Sequence, residues 1–500
     1  MNKPFGNAER TRSFSLRDLV PSSLPQLIAF FATVGAAVLA GMDIPRSNYI
    51  ARAMLVLVPV VVVGLLWGPF AYLALLILAS PFSLPIFSFA RFPIFGDLIG
   101  PLSFEQGAVL IFGSAFLLYL FVKSIRERKQ FQAMPFVPLG VVLITGFFAA
   151  AFFAWFAGSE ELNWYRQTIL YGVIIFLLTY ALARTALHIR LLTFGIMLTG
   201  VAFSVLVTVL PSSAYTYDAY TQVGRLGGEW ALPLGFRMAG DSVYISTYLG
   251  LCSVLAWGET LGNRSFWQRI AFIVANVWLT RVQLLTISRT GLYGEIIGII
   301  LITLIYFLRP PLNISDSSKS QRSRTRQIYL GRFEIALITL GLLALLTFQI
   351  TNFVENFQNP DYVLRLFESD LENDANTQIR VDLFWSSLEM NLASPLGTGS
   401  FALPSVTGIN DHSIYTLLLS GLGWLGLGAL VALFVWCIGR LIRGLNSTDI
   451  AIWKLSVSLF AGITVLLVMG LGHVVIGLHW GITIFWAMWG LSASMDRLQP

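Results

Sequence analysis

The sequence predicts an all-α integral membrane protein of about 12–14 transmembrane helices with a long, partly helical loop on its non-cytoplasmic side. Three observations carry that expectation. Of the 500 residues, 56% are hydrophobic and only 12% charged, whereas soluble domains carry about 25% charged residues; the mean hydropathy is +0.74. Apolar runs recur at about the length that crosses a hydrocarbon core, roughly 18–20 residues. The dyad alternation of an outer-membrane barrel is missing from those runs. With no water in the bilayer core, each run must satisfy its own backbone hydrogen bonds, and that makes it a helix.

Taken in order, segment 1–23 carries Lys3, Arg10, Arg12 and Arg17 ahead of the first run, 24–42. No small-residue cleavage site closes that run, so it reads as an uncleaved first helix. Runs 53–67 and 69–81 follow, separated by Gly68-Pro69, and are either two spans or one broken hairpin. The next are 104–123, 135–157, 167–186 and 190–210, then 241–260, 270–287, 290–308 and 333–351, the second and third of these tightly joined. Runs 414–439, 455–473 and 477–492 complete the set before the tail 493–500. An N-terminal bundle, 24–351, thus holds a Gly-rich loop at 211–240; a large loop, 352–413, leads to the C-terminal helices of 414–492. Cys252 and Cys437 both lie inside apolar runs, which argues against a disulfide framework or a thiol metal site.

Basic residues orient the chain. The connection 309–332 holds Arg309, Lys319, Arg322, Arg324, Arg326 and Arg332 against the lone acid Asp316. Lys123, Arg126, Arg128 and Lys129 flank another connection, Arg264 and Arg269 a third, and Arg440, Arg443 and Lys454 a fourth. All four fall on one side when 14 spans are counted, and both termini join them; that side is expected to be cytoplasmic. The net charge of +6 therefore reports orientation and gives no reason to expect nucleic acid. The opposite side differs in kind. Segment 158–166 has Glu160, Glu161 and Arg166, and loop 352–413 holds nine acids against Arg365 and Arg380. Within it, Ile379, Leu383, Phe384, Leu388 and Leu392 recur near helical spacing, which predicts an amphipathic helix over 378–392 lying at the membrane surface.

Zinc-protease, Cys-x-x-Cys, P-loop and nucleophile-elbow patterns do not occur, and neither a metal nor a cofactor is expected. The residues that stand out are cations and one histidine on the non-cytoplasmic side. Arg225 and Arg237 lie in loop 211–240, and Arg289 in Ser288-Arg289-Thr290-Gly291 where a span opens. Arg380 lies in the large loop, and His412 just before run 414–439. The ordinary reading of each arginine is a side chain snorkelling to lipid headgroups. Gly291, Gly294 and Gly298 read first as a close-packing stripe, His473 and His479 as packing or hydrogen-bonding residues. Arg281, inside an apolar run, needs a partner or a lipid phosphate.

Several stretches together resemble the O-antigen ligase and polymerase family. They are Ser394-Pro395-Leu396-Gly397-Thr398-Gly399-Ser400-Phe401, then Asp411-His412-Ser413-Ile414-Tyr415, then Gly421-Leu422-Gly423-Trp424-Leu425-Gly426-Leu427. Arg380 upstream, the Ser-Arg-Thr-Gly at Arg289 and Arg237-Met238-Ala239-Gly240 fit the same order, so the resemblance runs from about 237 to 430 by motif and over the whole chain by topology. Two departures are visible: Ser413 stands where the family usually has Asn after the loop histidine, and Asp241-Ser242 where Pro-Asn is common. They bear on acceptor contact and on how Arg237 is positioned.

The resemblance implies an inner-membrane glycosyltransferase that takes a glycan from an undecaprenyl-diphosphate-linked donor. It implies Arg237 and Arg289 at the diphosphate, His412 activating the acceptor, and Arg380 and, more weakly, Arg225 in donor binding or loop architecture. The chemistry is coherent. Guanidinium forks match phosphate oxygens, fixed cations stabilise charge on a departing diphosphate without a metal, and histidine suits proton removal near neutral pH. Inversion at the anomeric carbon follows from direct displacement. The acceptor would be another glycan or a lipid A core, with membrane lipids and a chain-length regulator or flippase as partners. Two other readings stand beside this one: a transporter or flippase of a lipid-linked or anionic solute, whose cations would line a midplane cavity between repeats, and a scaffold of an export complex.

Overall fold

A computed structural model describes residues 68–82, 136–157, 164–209, 215–218, 223–226, 228–231, 237–240, 242–262, 265–308, 332–356, 375–400, 413–473 and 479–498. It also describes scattered positions over 109–122 and residues 162 and 475. The expected runs 24–42 and 53–67, most of 104–123, the connection 309–331 and His412 lie outside the described residues. The chain divides into two compact units, Met1–Tyr72 and Leu73–Pro500. In the first, the described stretch is the turn at Gly68 and the opening of helix α1 (Pro69–Ala79). Gly68 has φ +86°, a left-handed conformation that costs glycine little, and Pro69 takes the first helical position, where its missing N–H is no loss.

The second unit is helical, as an apolar chain in lipid must be. After α1 come α2 (Phe136–Ala157), α3 (Tyr171–Leu182) entered through a π-helical turn (Tyr165–Leu170), and α4 (Ala186–Val209). Then follow α5 (Ser242–Gly262), α6 (Phe266–Leu284), α7 (Arg289–Leu308) and α8 (Arg332–Asn356). Helix α9 (Ala375–Ala393), α10 (Ile414–Leu445), α11 (Ile450–Gly472) and α12 (His479–Ser494) complete it. Six helices among the described residues are long and apolar enough to cross a membrane. The protein is an all-α integral membrane protein. Large apolar side chains line the outside, Leu337, Leu340 and Phe348 of α8 and Ile300 and Leu304 of α7 among them. In water such a surface would drive aggregation; against lipid tails it is the expected one.

Helix α5 is the hub. It packs on α4, α6, α7 and α11, and small residues set how closely. A Cβ on Gly291 of α7 would overlap Ser246 Oγ of α5, and one on Gly298 would press on Val254 and Val465. The stripe Gly291, Gly294 and Gly298 therefore serves close approach, its first reading from the sequence. Aromatic residues fill the other seam, where α12 runs beside α3 and α10. Phe434 stacks on Trp489 with centroids 3.9 Å apart, and Phe176 meets Trp486 edge to face at 6.3 Å.

Where a Gly-rich loop is expected at 211–240, the chain forms two small antiparallel ladders. They pair β1 (Tyr215–Asp218) with β2 (Val223–Leu226), and β3 (Gly228–Ala231) with β4 (Arg237–Gly240). Ladders let the backbone pair its own polar groups outside the helices. The helix expected over 378–392 is present as α9, with Leu383, Ser387 and Asn391 buried and Phe384 and Leu392 exposed.

The glycine motifs of the sequence form a clasp. Thr398 N and Gly399 N both donate to Ser420 O, at 2.9 and 3.1 Å, and Trp424 N donates to Pro395 O at 2.9 Å. These bonds sew the turn after α9 onto a break in α10, where Gly423 leaves helical geometry at φ 64°, ψ −173°. That region of the backbone map is essentially glycine's alone. A Cβ on Gly423 would also collide with Gly397 N and Pro395 O. Gly423→Ala is therefore expected to cost roughly 3 kcal/mol or more, strain and overlap together. A melt of the purified variant in detergent should show a clearly lower Tm, whereas Gly428→Ala, with open space around it, should melt like the parent.

Candidate functional site

The turn between α6 and α7 is short and strained. Thr286 N and Ile287 N close it on Gln283 O and Leu284 O at 2.9 and 3.1 Å. Ile287 has φ 50°, an outlier for a β-branched residue that persists only where its surroundings enforce it. The next residues are Ser288 and Arg289. Ser288 is buried and its O accepts from Leu292 N at 3.2 Å, so α7 starts firmly and Arg289 is its first residue, half-buried. Leu226 N donates to Leu285 O at 3.0 Å. That bond pins β2, and with it the backbone of Arg225, to the turn that precedes Arg289.

Arg380 arrives from the other side. The clasp fixes α9 against α10, and the Arg380 guanidinium reaches the end of α11. A Cβ placed on Gly472 would stand 3.4 Å from Arg380 Nη1 and 2.5 Å from Thr290 Cγ2. Arg380 therefore lies beside the residue that follows Arg289, and Gly472 is the gap that lets them meet. Only glycine fits there.

Ser413 caps α10, its Oγ accepting from Tyr415 N at 3.2 Å and donating to Gly470 O at 3.1 Å. Tyr415 Oη donates to Leu467 O at 2.9 Å. The residue after His412 is thus anchored two positions from Gly472, although His412 itself is not among the described residues. His473 follows Gly472, with its ring against Tyr244 of α5 at a centroid distance of 4.4 Å. Tyr244 also lines, with Tyr248, Trp480 and Val475, a shallow apolar recess of about 10 Å³.

One end of the bundle therefore gathers Arg289, Thr290, Arg380, His473, Tyr244 and the anchor of His412. Arg225 joins them through its strand. Arg237 opens β4, opposite Ala231, and the strand ends at Gly240, two residues before the start of α5; the side chain of Arg237 is not described, nor are those of Arg225 and His479. Arg281 is exposed on the last turn of α6.

Sequence reasoning passed over Glu295. It is 1% exposed in α7, and Ser253 Oγ and Thr280 Oγ1 both donate to its Oε1. Asn276 Nδ2 donates to Ser253 Oγ at 2.7 Å, closing a polar knot among α5, α6 and α7 below Arg289. The signal was legible: a lone acid in an apolar run is a marked residue by default. His473 and Tyr244 gave no comparable signal, because their meeting depends on two helices far apart in sequence.

The opposite end holds the structural cations. Arg440 pairs with Asp496, Lys454 Nζ donates to Gly262 O, and Arg190 lies 3.8 Å from Glu259. Among the described residues no group of three or more His, Cys, Asp or Glu side chains has the arrangement of a metal site. No protein-family model matches the chain, and no curated protein matches it.

Proposed function

We propose that this protein is a membrane glycosyltransferase that moves a glycan from an undecaprenyl-diphosphate carrier to a hydroxyl acceptor at the non-cytoplasmic face of a bacterial inner membrane. The observation that carries the reading is the meeting of Thr290, the neighbour of Arg289, with Arg380 and with Ser413, the neighbour of His412, around Gly470–Gly472. Three motifs separated by up to about 120 residues arrive at one bundle end, and each brings the residue type that such a transfer uses. The acceptor oxygen attacks the anomeric carbon while the bond from that carbon to the diphosphate oxygen breaks. His412 takes the acceptor proton. Arg289, with Arg237, holds the diphosphate as its negative charge grows, and fixed guanidinium groups do so without a metal. Arg380, with Arg225, holds the donor or the loops around it.

A transporter reading would place the cations at mid-bilayer between repeats. The cluster is instead at helix termini, which favours chemistry at the membrane surface. The test is transfer by purified protein given lipid-linked oligosaccharide and an acceptor, in excess EDTA. Transfer is expected to continue. Loss of transfer that Mg²⁺ or Mn²⁺ restores would move the role of the arginines to a metal held by acids such as Asp241 or Asp411.

Sidedness has its own test. Reporter fusions after positions 320 and 448 are expected to report the cytoplasm, and fusions at 225 and 375 the periplasm. If 320 and 375 report one compartment, the cluster and the donor cannot meet as proposed.

A further inference from the structure

Arg166 has no place in the site above, and its surroundings are unusual. It sits in the π-helical turn Tyr165–Leu170 that leads into α3, with Tyr171 N donating to Arg166 O in the wide-turn pattern. Such turns occur often at functional positions, because one inserted residue re-aims the side chains around it. The guanidinium is shielded: Nε, Nη1 and Nη2 are each out of contact with solvent, and none has a hydrogen-bond partner among the described residues. The side chain as a whole is half-buried, so it lies at the margin of the bundle. Five N–H donors and a full charge without a partner oppose folding. A ligand group that completed it would remove that cost.

Its position is defined by its neighbours. Tyr165 Oη donates to Leu143 O of α2 at 2.9 Å. The Trp164 ring covers Gly421, where a Cβ would collide with it. Gly421 follows Ser420, whose carbonyl takes both clasp bonds from Thr398 and Gly399. Thr398, 8% exposed, carries a second buried group without a partner among the described residues, its Oγ1. Tyr171 Oη meets Thr483 Oγ1 at 2.7 Å and Ser494 Oγ donates to Thr179 O at 3.4 Å. Helices α3 and α12 thus run in the same direction, and Arg166 lies at the clasp end of the bundle, away from the Arg440–Asp496 pair.

We propose that Arg166 is an anion-binding residue that takes a phosphate group at this end of the bundle. A phosphate matches the planar fork bidentately and offers enough oxygens to satisfy the donors that the protein leaves unmet. The phosphate can belong to a bilayer lipid or to a soluble or pendant phosphate. This assignment does not depend on glycan transfer.

The test uses the full chain, stripped of lipid in a phosphate-free maltoside detergent. Phosphatidylglycerol or inorganic pyrophosphate is added, and melting and tryptophan fluorescence are read together, since Trp164 is two residues away. At least one of the two probes should raise the wild-type Tm by roughly 2–4 °C at saturation and change the fluorescence. A response to phosphatidylglycerol alone identifies a headgroup site, and a response to pyrophosphate identifies a site for a soluble or pendant phosphate. Arg166→Met, which removes the charge and keeps the length, should melt no lower than wild type without a probe and lose the response. Arg166→Lys should keep part of it. No response in wild type overturns the proposal, as does a full response in Arg166→Met. A markedly lower Tm of ligand-free Arg166→Met would overturn it too, because the guanidinium would then be holding the fold.

Discussion

His412→Ala is expected to slow glycan transfer by about 10²–10⁴-fold, the usual contribution of a positioned acid or base. Donor binding should stay nearly intact. The reason is placement: Ser413, the next residue, is fixed by its bond to Gly470 O and by its cap on α10. That anchor lies two positions from Gly472, which Thr290 and Arg380 flank. The measurement is initial transfer rate at saturating donor, paired with donor affinity from an equilibrium titration. Because Ser413 is part of the anchor, monodispersity and Tm of the variant must match the parent. A well-folded His412→Ala protein with wild-type rates would remove histidine from the proposed mechanism, and Asp411 would become the candidate base.

Arg289→Ala is expected to lower transfer by about 10²-fold or more and, unlike the histidine variant, to weaken donor binding as well. Arg289 opens α7 behind a strained turn, so its backbone is held in place before any ligand arrives. In the proposed reaction a charge placed in advance would act on the leaving diphosphate with little reorganisation. Arg289→Lys should recover only part of the loss, since an ammonium retains the charge but not the planar fork. The readout that separates this from a folding defect is the pairing of rate and affinity. A structural lesion lowers the yield of active protein, whereas the proposed role changes both constants in protein that melts normally. Equal activity of Arg289→Ala and wild type would leave Arg380 and Arg237 as the cations at the diphosphate.

The helices were legible because lipid imposes one rule on every span. Runs such as 190–210, 290–308 and 414–439 appear as α4, α7 and α10 with ends shifted by a few residues. The exception is α10, which continues to Leu445 through Arg440 and Arg443, charges that end an apolar run by composition but not by backbone. The helix over 378–392 was legible too, from the spacing of Leu383 and its neighbours. The ladders at 215–240 were not. Their strands are four residues each, too short for alternation to rise above the Gly-rich composition, and they form from pairing that no local pattern encodes. The two glycine motifs were visible as residues, but their joint role was not. The conformation of Gly423 and the approach of Gly397 are consequences of two segments meeting, and sequence shows only that both are rich in glycine. The placement of Arg380 beside Thr290 has the same origin: nothing in either segment points to the other, and Gly472 between them reads as one more small residue in an apolar run.

Glu295 bears on how the cluster is held. A carboxyl tied to Ser253 and Thr280 deep in α5, α6 and α7 locks the three helices whose ends carry Tyr244, the strained turn and Arg289. Polar ties between membrane helices contribute modestly each, about 0.6–2 kcal/mol, but this one lies directly beneath the site.

The most direct measurement follows one donor molecule to its products. The purified protein is reconstituted into liposomes with a lipid-linked oligosaccharide labelled in its glycan, and an acceptor is supplied on the face carrying Arg289 and Arg380. The account predicts that label passes to the acceptor and that undecaprenyl diphosphate is released in equal amount. Label that stays on its carrier while the carrier crosses to the other leaflet would contradict it and make the protein a transporter.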